Sequence, residues 1–357
     1  MEKIKRKIAR AERITPEECL TLFRTATLPE LGVLANAVRE RMNGKYAYFN
    51  RNAHIEPTNI CAHRCKFCSY RRDEGAADSW DMSVDEVVSV ARSLSIQGIT
   101  EVHITGGVHP RHPLAYYESV VEGVHRVLPG VHIKAFTAEG LWRMAEYSGL
   151  SVEQVLARLQ ELGLCSIPGG GAEILNDEVR ARICPEKISA AAWLHVHEQA
   201  HRMGIASNAT MLYGHVERYE HRVEHLASLR ALQDRTGGFN AFIPLKYRMA
   251  HNELSHVGEV SVVEDLRNMA VCRIFLDNVP HIKAYWVMLG KSVAQLALSY
   301  GADDFDGTIG DSTKIYAMAG AEDTHPQMSV DELCQLVRSA GFTPVERDSL
   351  YRPVKQY

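Results

Sequence analysis

The sequence predicts an α/β protein, a (β/α)8 TIM-type barrel with a helical extension at its N-terminus. Short β-rich segments alternate with longer segments of helical periodicity, which is the chain order of a parallel sheet. Eight such segments occur. They recur about every 35 residues, which matches the ~250 residues typical of this barrel. Of the 357 residues, 46% are hydrophobic, enough for one large core.

The predicted strands are runs rich in β-branched and aromatic residues that follow the helical segments. They cover residues 54–60, 100–105, 131–136, 164–167, 206–212, 240–245, 281–287 and 302–306. Helix starts are predicted at Ser83, Ser151 and Ser189, and amphipathic helices over 261–276 and 329–340. The expected organisation is an extension of two helices over 1–45, a barrel over 46–342 and a tail over 343–357 packed on the barrel.

The charge balance limits the classes of partner. Forty Lys and Arg against forty-four Asp and Glu give a net charge of −4. No global basic field is present to hold nucleic acid or an anionic membrane, so we expect a small-molecule ligand. The N-terminus is charged and no apolar run approaches eighteen residues. A cytoplasmic protein is therefore expected.

Three of the eight cysteines lie together directly after the first predicted strand. Cys61, Cys65 and Cys68 form a C-x3-C-x2-C pattern, with Phe67 before the last cysteine. Such a cluster in a reducing compartment indicates metal ligation, whereas the five scattered cysteines are typical buried apolar residues. Three thiolates with no fourth nearby would hold three irons of a [4Fe–4S] cluster and leave one iron open. The alternative is a structural zinc site that uses His63 as a fourth ligand.

This pattern at the end of the first barrel strand resembles the radical S-adenosylmethionine (SAM) enzymes. The resemblance implies that the open iron binds the amino and carboxylate groups of SAM. An electron from the reduced cluster then cleaves SAM to methionine and a 5′-deoxyadenosyl radical. Cys61, Cys65 and Cys68 would be the cluster ligands, and the backbone of Tyr70 would approach the adenine.

The same resemblance assigns the turn after the second strand to SAM. Thr105, Gly106 and Gly107 would bind its methionyl amine with exposed backbone. The acid that usually follows these glycines in the family is absent, because Val108 stands there. After the fourth strand, Gly169–Gly171 predict a loop around a ligand, with Glu173 free to bind a ribose diol; the alternative is a flexible turn with a solvated Glu173.

Further strand-end segments resemble the menaquinone (futalosine) branch of these enzymes. Residues 134–139, Asn208 and residues 281–290 look like its synthase, whereas 169–174 and 209–217 look shared with its cyclase. The synthase likeness implies that the radical adds to the enol ether of 3-[(1-carboxyvinyl)oxy]benzoate. Aryl rearrangement and decarboxylation would then give 6-amino-6-deoxyfutalosine, so SAM is a consumed co-substrate. An external electron donor such as flavodoxin or ferredoxin is also implied.

The remaining candidates are polar groups expected at the mouth of the barrel. The predicted catalytic residues are His215 and Glu173, and Glu139, Glu173, Asn208 and Thr210 are predicted to contact ribose, adenine or substrate. The substrate carries two carboxylates, so cationic or strongly donating partners are expected. The candidates for that role are Lys134, His215, Arg248, His281 and Lys283, with Tyr285 closing the cavity. The rival class is non-enzymatic: an iron–sulfur electron carrier or a zinc-stabilised binding module.

Overall fold

The centre of the molecule is a ring of parallel strands. The structure is a computed structural model that describes residues 1–309, 314–321 and 326–357. The first barrel strand is split at Arg51 into β1 (Tyr46–Asn50) and β2 (Asn52–Ile55). The next strands are β3 (Glu101–Ile104), β4 (His132–Ala135), β5 (Leu164–Ile167), β6 (Ala206–Tyr213), β7 (Phe239–Lys246) and β8 (His281–Ile282). From β2 to β8 they pair side by side in chain order.

The ring closes through a further strand, β9 (Asp304–Gly307). A parallel bridge between Lys283 and Asp304 joins β9 to the end of β8. On its other side β9 pairs in parallel with β1, in the register Tyr48 to Asp304. Because β1 continues into β2, the strands enclose a barrel interior. The predicted (β/α)8 barrel is confirmed, with every predicted strand in the ring.

Helices cover the outside of this ring. They are α1 (Glu2–Ala9), α2 (Pro16–Thr25), α3 (Leu28–Asn43), α4 (Val84–Leu94), α5 (Leu114–Val127), α6 (Ala138–Ser148), α7 (Val152–Glu161), α8 (Asp177–Ile183), α9 (Ala190–Arg202), α10 (Tyr219–Thr236), α11 (Val262–Phe275), α12 (Trp286–Leu289), α13 (Lys291–Ala297), α14 (Ile315–Met318) and α15 (Val330–Ser339). Short 3-10 turns occur at Ser95–Gln97, Ser255–Val257 and Leu298–Tyr300. Ser83, Ser151 and Ser189 cap α4, α7 and α9 as predicted.

The N-terminal extension contains three helices where two were predicted. Thr15 and Thr27 each begin a new helix with a capping box that Glu18 or Glu30 completes. Each cap is followed within two residues by a proline, which favours the first turn of a helix. The two predicted helices correspond to α2 and α3, which contain the apolar residues at 20–23 and 31–34, and α1 is the helix that the prediction missed.

At the C-terminus, β10 (Thr343–Arg347) pairs in parallel with β1, and β11 (Pro353–Gln356) pairs antiparallel with β10. The end of the chain thus extends the sheet at the first barrel strand. In the described ranges no helix is both long and apolar enough to cross a membrane. The division into extension, barrel and tail remains our prediction.

Candidate active site

The three clustered cysteines lie on the loop between β2 and α4, at the carboxyl end of the barrel. Neighbouring segments hold this loop in place: the Ala62 N–H donates to the Val108 carbonyl (2.9 Å) and the Lys66 N–H to the Ile183 carbonyl (2.8 Å). The Val108 N–H lies 3.4 Å from Cys61 Sγ. Cys61, Cys65 and Cys68 are free thiols. All three line one cavity of about 260 Å³, which we call the outer cavity.

Burial sets the chemistry of these thiols. It raises the pKa of Cys61 and, more strongly, of Cys65, while the positive charge of Lys187 opposes the shift at both. Cysteine binds metal as the thiolate, the form that burial disfavours here. A positively charged group bound in the cavity would therefore stabilise the thiolates. Three unpaired thiols on one cavity wall therefore fit an iron–sulfur cluster held by three protein ligands.

The zinc alternative fits this geometry poorly. His63, the expected fourth ligand, is buried and places its Nε2 2.9 Å from Glu139 Oε1. Among the described residues, only Asp81, His109 and His112 form a group of three or more metal-ligand side chains with ligand atoms within 4.8 Å of one another. The three sulfurs thus do not converge on a single ion, whereas a cubane holds each thiolate on a separate iron.

The glycine pair after β3 packs directly against the cysteine loop. A Cβ on Gly106 would lie 2.6 Å from the Thr58 carbonyl oxygen, and one on Gly107 would lie 2.3 Å from that of Ile60. Both distances are shorter than any non-bonded carbon–oxygen contact in a folded protein. Only glycine therefore allows the two loops to pack this closely. Thr105, Gly106 and Gly107 also line the outer cavity, as predicted for the SAM-binding turn.

Two buried carboxylates lie in the wall of the outer cavity, together with Tyr70 of the cysteine loop. Glu173 accepts from Lys187 Nζ at 2.5 Å and has a left-handed backbone (φ 45°). Glu139 accepts from the Ile188 N–H at 3.0 Å in addition to its contact with His63. Burial alone would raise the pKa of Glu139, but His63, Lys187 and the Ile188 N–H lower it below its ordinary value. Glu139 is therefore held as a carboxylate.

A second cavity of about 200 Å³, the inner cavity, lies inside the barrel. It shares wall residues with the outer cavity, including Thr105, Thr137 and Gly170, so the two cavities adjoin. Besides Thr105, the inner cavity contains five of the predicted site residues: Lys134, Asn208, Thr210, Lys283 and Tyr285. The Thr210 hydroxyl donates to the Gly169 carbonyl at 2.6 Å, and this bond fixes the glycine loop against β6.

Three of the residues predicted to bind the substrate carboxylates lie outside the inner cavity. Arg248 lines the outer cavity and donates to the Gly320 carbonyl at 2.7 Å. His215 lines neither cavity: its Nε2 lies 3.0 Å from the Leu212 carbonyl oxygen. His281 begins β8 and so lies at the end of the strand opposite the mouth, stacked on Tyr351 at 3.7 Å. The prediction of His281 as a rim residue is corrected accordingly.

The structure also adds residues that sequence reasoning missed. Asn52, His54, His103 and Asp306 line the inner cavity, and Lys187 and Lys246 line the outer one. A signal was available for the inner group, because parallel barrel strands are usually apolar and these strands carry polar residues two positions apart. Asn52 and His54 on β2, and Glu101 and His103 on β3, are such pairs.

Comparisons with known proteins agree with this arrangement. Residues 55–229 match the radical SAM superfamily, and residues 236–356 match the CofH/MqnC C-terminal region. The chain is 43% identical to the aminodeoxyfutalosine synthase of Thermus thermophilus, over 99% of this chain and 95% of that protein. The chain belongs to the radical SAM superfamily. As a member it uses a [4Fe–4S] cluster and SAM.

Relatives in this radical SAM group carry out several reactions. The cyclic dehypoxanthine futalosine synthase of Streptomyces coelicolor is 38% identical, over 95% of this chain and 85% of that protein. The 5-amino-6-(D-ribitylamino)uracil–L-tyrosine 4-hydroxyphenyl transferase of Methanothermobacter thermautotrophicus is 37% identical, over 96% of this chain and 95% of that protein. Among solved structures, methylornithine synthase (PylB) shares the fold, with a TM-score of 0.75, 16% identity and coverage of 96% and 97% of the two chains.

Proposed function

We propose that this radical SAM enzyme catalyses the aminodeoxyfutalosine synthase reaction. The 5′-deoxyadenosyl group of SAM is added to the enol ether of 3-[(1-carboxyvinyl)oxy]benzoate, the aryl group migrates, and a carboxylate is lost as carbon dioxide or bicarbonate. The products are 6-amino-6-deoxyfutalosine and methionine. The observation that carries the proposal is the 43% identity to a synthase across both the barrel and the C-terminal region.

The outer cavity is the proposed site of SAM. Cys61, Cys65 and Cys68 would hold the cluster, which when bound supplies the electron that cleaves SAM. The residues proposed to bind SAM line the same cavity: Tyr70, Thr105, Gly106, Gly107, Glu139 and Glu173. The carboxylate of Glu173 is kept in place by Lys187 and is available to accept from ribose hydroxyls.

The inner cavity is the proposed site of the aromatic substrate. Lys134 and Lys283, each paired with a carboxylate, offer ammonium N–H donors there, and Asn208, Thr210 and Tyr285 add polar contacts. Arg248 stands at the outer cavity and is the candidate for a bidentate carboxylate contact. Because the two cavities adjoin, the proposal places the alkene beside the adenosyl carbon while the ring stays inside the barrel. This enclosure excludes water and other hydrogen donors from a radical reaction.

Two further features complete the proposal. Radical SAM enzymes require a reductant, and a small electron-transfer protein such as flavodoxin or ferredoxin is proposed as the donor. A cytoplasmic location is proposed for the enzyme, because a reducing compartment keeps cluster-binding cysteines as thiols.

The test is anaerobic reconstitution with iron, sulfide and a reductant, followed by turnover with SAM and the enol-ether benzoate. We expect mass spectrometry to detect an adenosine-containing aryl product and methionine in equal amounts. The Cys65→Ala variant should form no product. Cys165→Ala should match wild type, because Cys165 lies outside the site and, contrary to the prediction for the scattered cysteines, is exposed. Release of free 5′-deoxyadenosine with conversion of dehypoxanthine futalosine would instead identify the cyclase.

A non-enzymatic electron carrier has a separate signature. In a carrier every cluster iron has a protein ligand, so addition of SAM would leave the electron paramagnetic resonance spectrum of the reduced cluster unchanged. We expect that spectrum to change on addition of SAM, because three cysteines leave one iron open.

A further inference from the structure

Four nitrogen-bearing side chains meet at the inner cavity, on neighbouring strands of the barrel. His54 on β2, His103 on β3 and Lys134 on β4 are direct partners in the strand register, so their side chains lie on one level of the barrel. The rings of His54 and His103 meet edge to face at 4.9 Å. Lys283, next to β8, lines the same cavity.

The lysines are already neutralised by carboxylates. Lys134 Nζ lies 2.6 Å from Glu101 Oε1, and Lys283 Nζ lies 2.6 Å from Asp306 Oδ1. These two pairs add no net charge to the cavity. Each ammonium has three donors, however, and its carboxylate contact uses one of them.

His103 adds a polar nitrogen that the protein does not use, and this nitrogen donates when the imidazole proton is on Nε2. Its Nε2 is buried, and no hydrogen-bond partner for it occurs in the described parts of the chain. A buried polar nitrogen without a partner destabilises the folded protein. Such a group on a cavity wall indicates a ligand that completes its hydrogen bonding. The surplus groups of the two ammoniums are donors, and an imidazole can place its proton on Nε2, so an anionic acceptor would satisfy all of them.

We propose that His54, His103, Lys134 and Lys283 form a subsite for the aryl carboxylate of the substrate. This inference rests on the proposed function, which requires the alkene to lie beside SAM in the outer cavity. The ring carboxylate is at the other end of the substrate, so it points into the barrel. The shared walls at Thr105, Thr137 and Gly170 allow one molecule to extend through both cavities.

The subsite can be tested with a ligand that lacks the reacting group. Isothermal titration of the reconstituted enzyme with 3-methoxybenzoate should show binding, and the uncharged 3-methoxybenzamide should bind on the order of tenfold more weakly or worse. The double variant Lys134→Gln with Glu101→Gln, and likewise Lys283→Gln with Asp306→Asn, should weaken benzoate binding to a similar degree. Each double variant removes both charges of a pair, so no buried charge is left alone.

A matched control is available outside the barrel. Lys291→Gln breaks an ion pair of similar length, 2.7 Å to Glu332, and should leave benzoate affinity unchanged. His103→Leu leaves both ion pairs intact and provides an independent variant if the double variants do not fold. It should also weaken benzoate more than benzamide.

Four results would overturn the subsite. These are no binding of 3-methoxybenzoate to wild type, equal affinity for benzoate and benzamide, unchanged benzoate affinity in all folded inner-cavity variants, or an equal loss of both ligands in His103→Leu. Formation of the adenosine-containing product by wild type in the same preparation would still support the proposed function. Failure of the subsite and failure of the reaction are thus separate observations.

Discussion

His215 shows how a side chain outside both cavities can affect the site. Its Nε2 lies 3.0 Å from the Leu212 carbonyl oxygen, and the Leu212 N–H donates to the Glu173 carbonyl at 2.8 Å. Leu212 lines the outer cavity. Burial lowers the pKa of His215, so the ring is neutral at neutral pH and serves as a hydrogen-bond donor. We therefore propose a positioning role for His215 in place of the predicted catalytic one.

This role predicts different results for two substitutions of His215. Alanine leaves the Leu212 carbonyl without its donor, and we expect turnover to fall by roughly tenfold. Glutamine can extend an amide N–H toward the same carbonyl and should restore most of the rate. Product formation and iron content are measured together, and iron content should not change in either variant. If the glutamine variant is as slow as the alanine variant, the imidazole itself is required and the positioning role is rejected.

At the scale of elements, the contact between the cysteine loop and the turn after β3 predicts the effect of Gly107→Ala. The new Cβ would overlap the Ile60 carbonyl, a backbone atom one residue before Cys61. The two loops must separate, at a cost of roughly 1–3 kcal/mol. We expect iron incorporation per protein to fall several-fold while the far-ultraviolet circular dichroism stays that of the barrel.

A second glycine provides the control for this substitution. Gly140 lies in helix α6, where an added Cβ would meet only atoms at 3.9 Å. Gly140→Ala should therefore keep full iron content and be neutral or slightly stabilising, because alanine favours a helix. Equal iron content in Gly107→Ala and Gly140→Ala would show that the close approach of the two loops is not needed for cluster assembly.

The elements that could be predicted from the sequence are those with a local signal. The cysteine spacing, the glycine pair and the serine caps each lie within a few consecutive residues. The seventh predicted strand is different: residues 281–287 have strand propensity, yet β8 ends at Ile282 and α12 begins at Trp286. The Trp286 indole N–H donates to the Gly307 carbonyl at 3.0 Å. Because this contact with β9 joins residues far apart in the chain, the local residue pattern does not predict it.

The candidate site follows the same rule. The outer cavity was predictable because its cysteine loop resembles a known motif. The inner cavity is assembled from single residues of separate strands: polar alternation marks β2 and β3 as unusual, but it does not show that His54 and His103 meet. Their proximity depends on the strand register, which pairs them directly. Lys187 was missed for a similar reason, because its contact with Glu173 joins two segments 14 residues apart.

For the whole molecule, the buried histidines determine how stability depends on pH. Burial lowers the pKa of His54 to about 4, of His201 to about 4 and of His225 to about 3, from 6.5. Between pH 6.5 and these values the unfolded chain binds more protons than the folded one, so stability falls as the pH falls. Glu56 acts in the opposite sense, because burial raises its pKa to about 7. The histidine and Glu56 contributions to the pH dependence of stability therefore partly cancel. A variant that removes one histidine measures the histidine contribution more directly than the stability of the wild type does.

His225 is the most suitable residue for that test. It is fully buried on α10, and its Nδ1 accepts from the Leu175 N–H at 3.0 Å, a bond that the side-chain oxygen of asparagine can also accept. On passing from pH 7 to pH 5, wild type should lose about 2 kcal/mol of unfolding free energy through His225. Urea unfolding of wild type and His225→Asn at both values measures the difference. Over the same pH change, His225→Asn should lose about 2 kcal/mol less unfolding free energy than wild type, since asparagine does not titrate. Parallel losses in the two proteins would mean that His225 is protonated in the folded barrel, contrary to its burial.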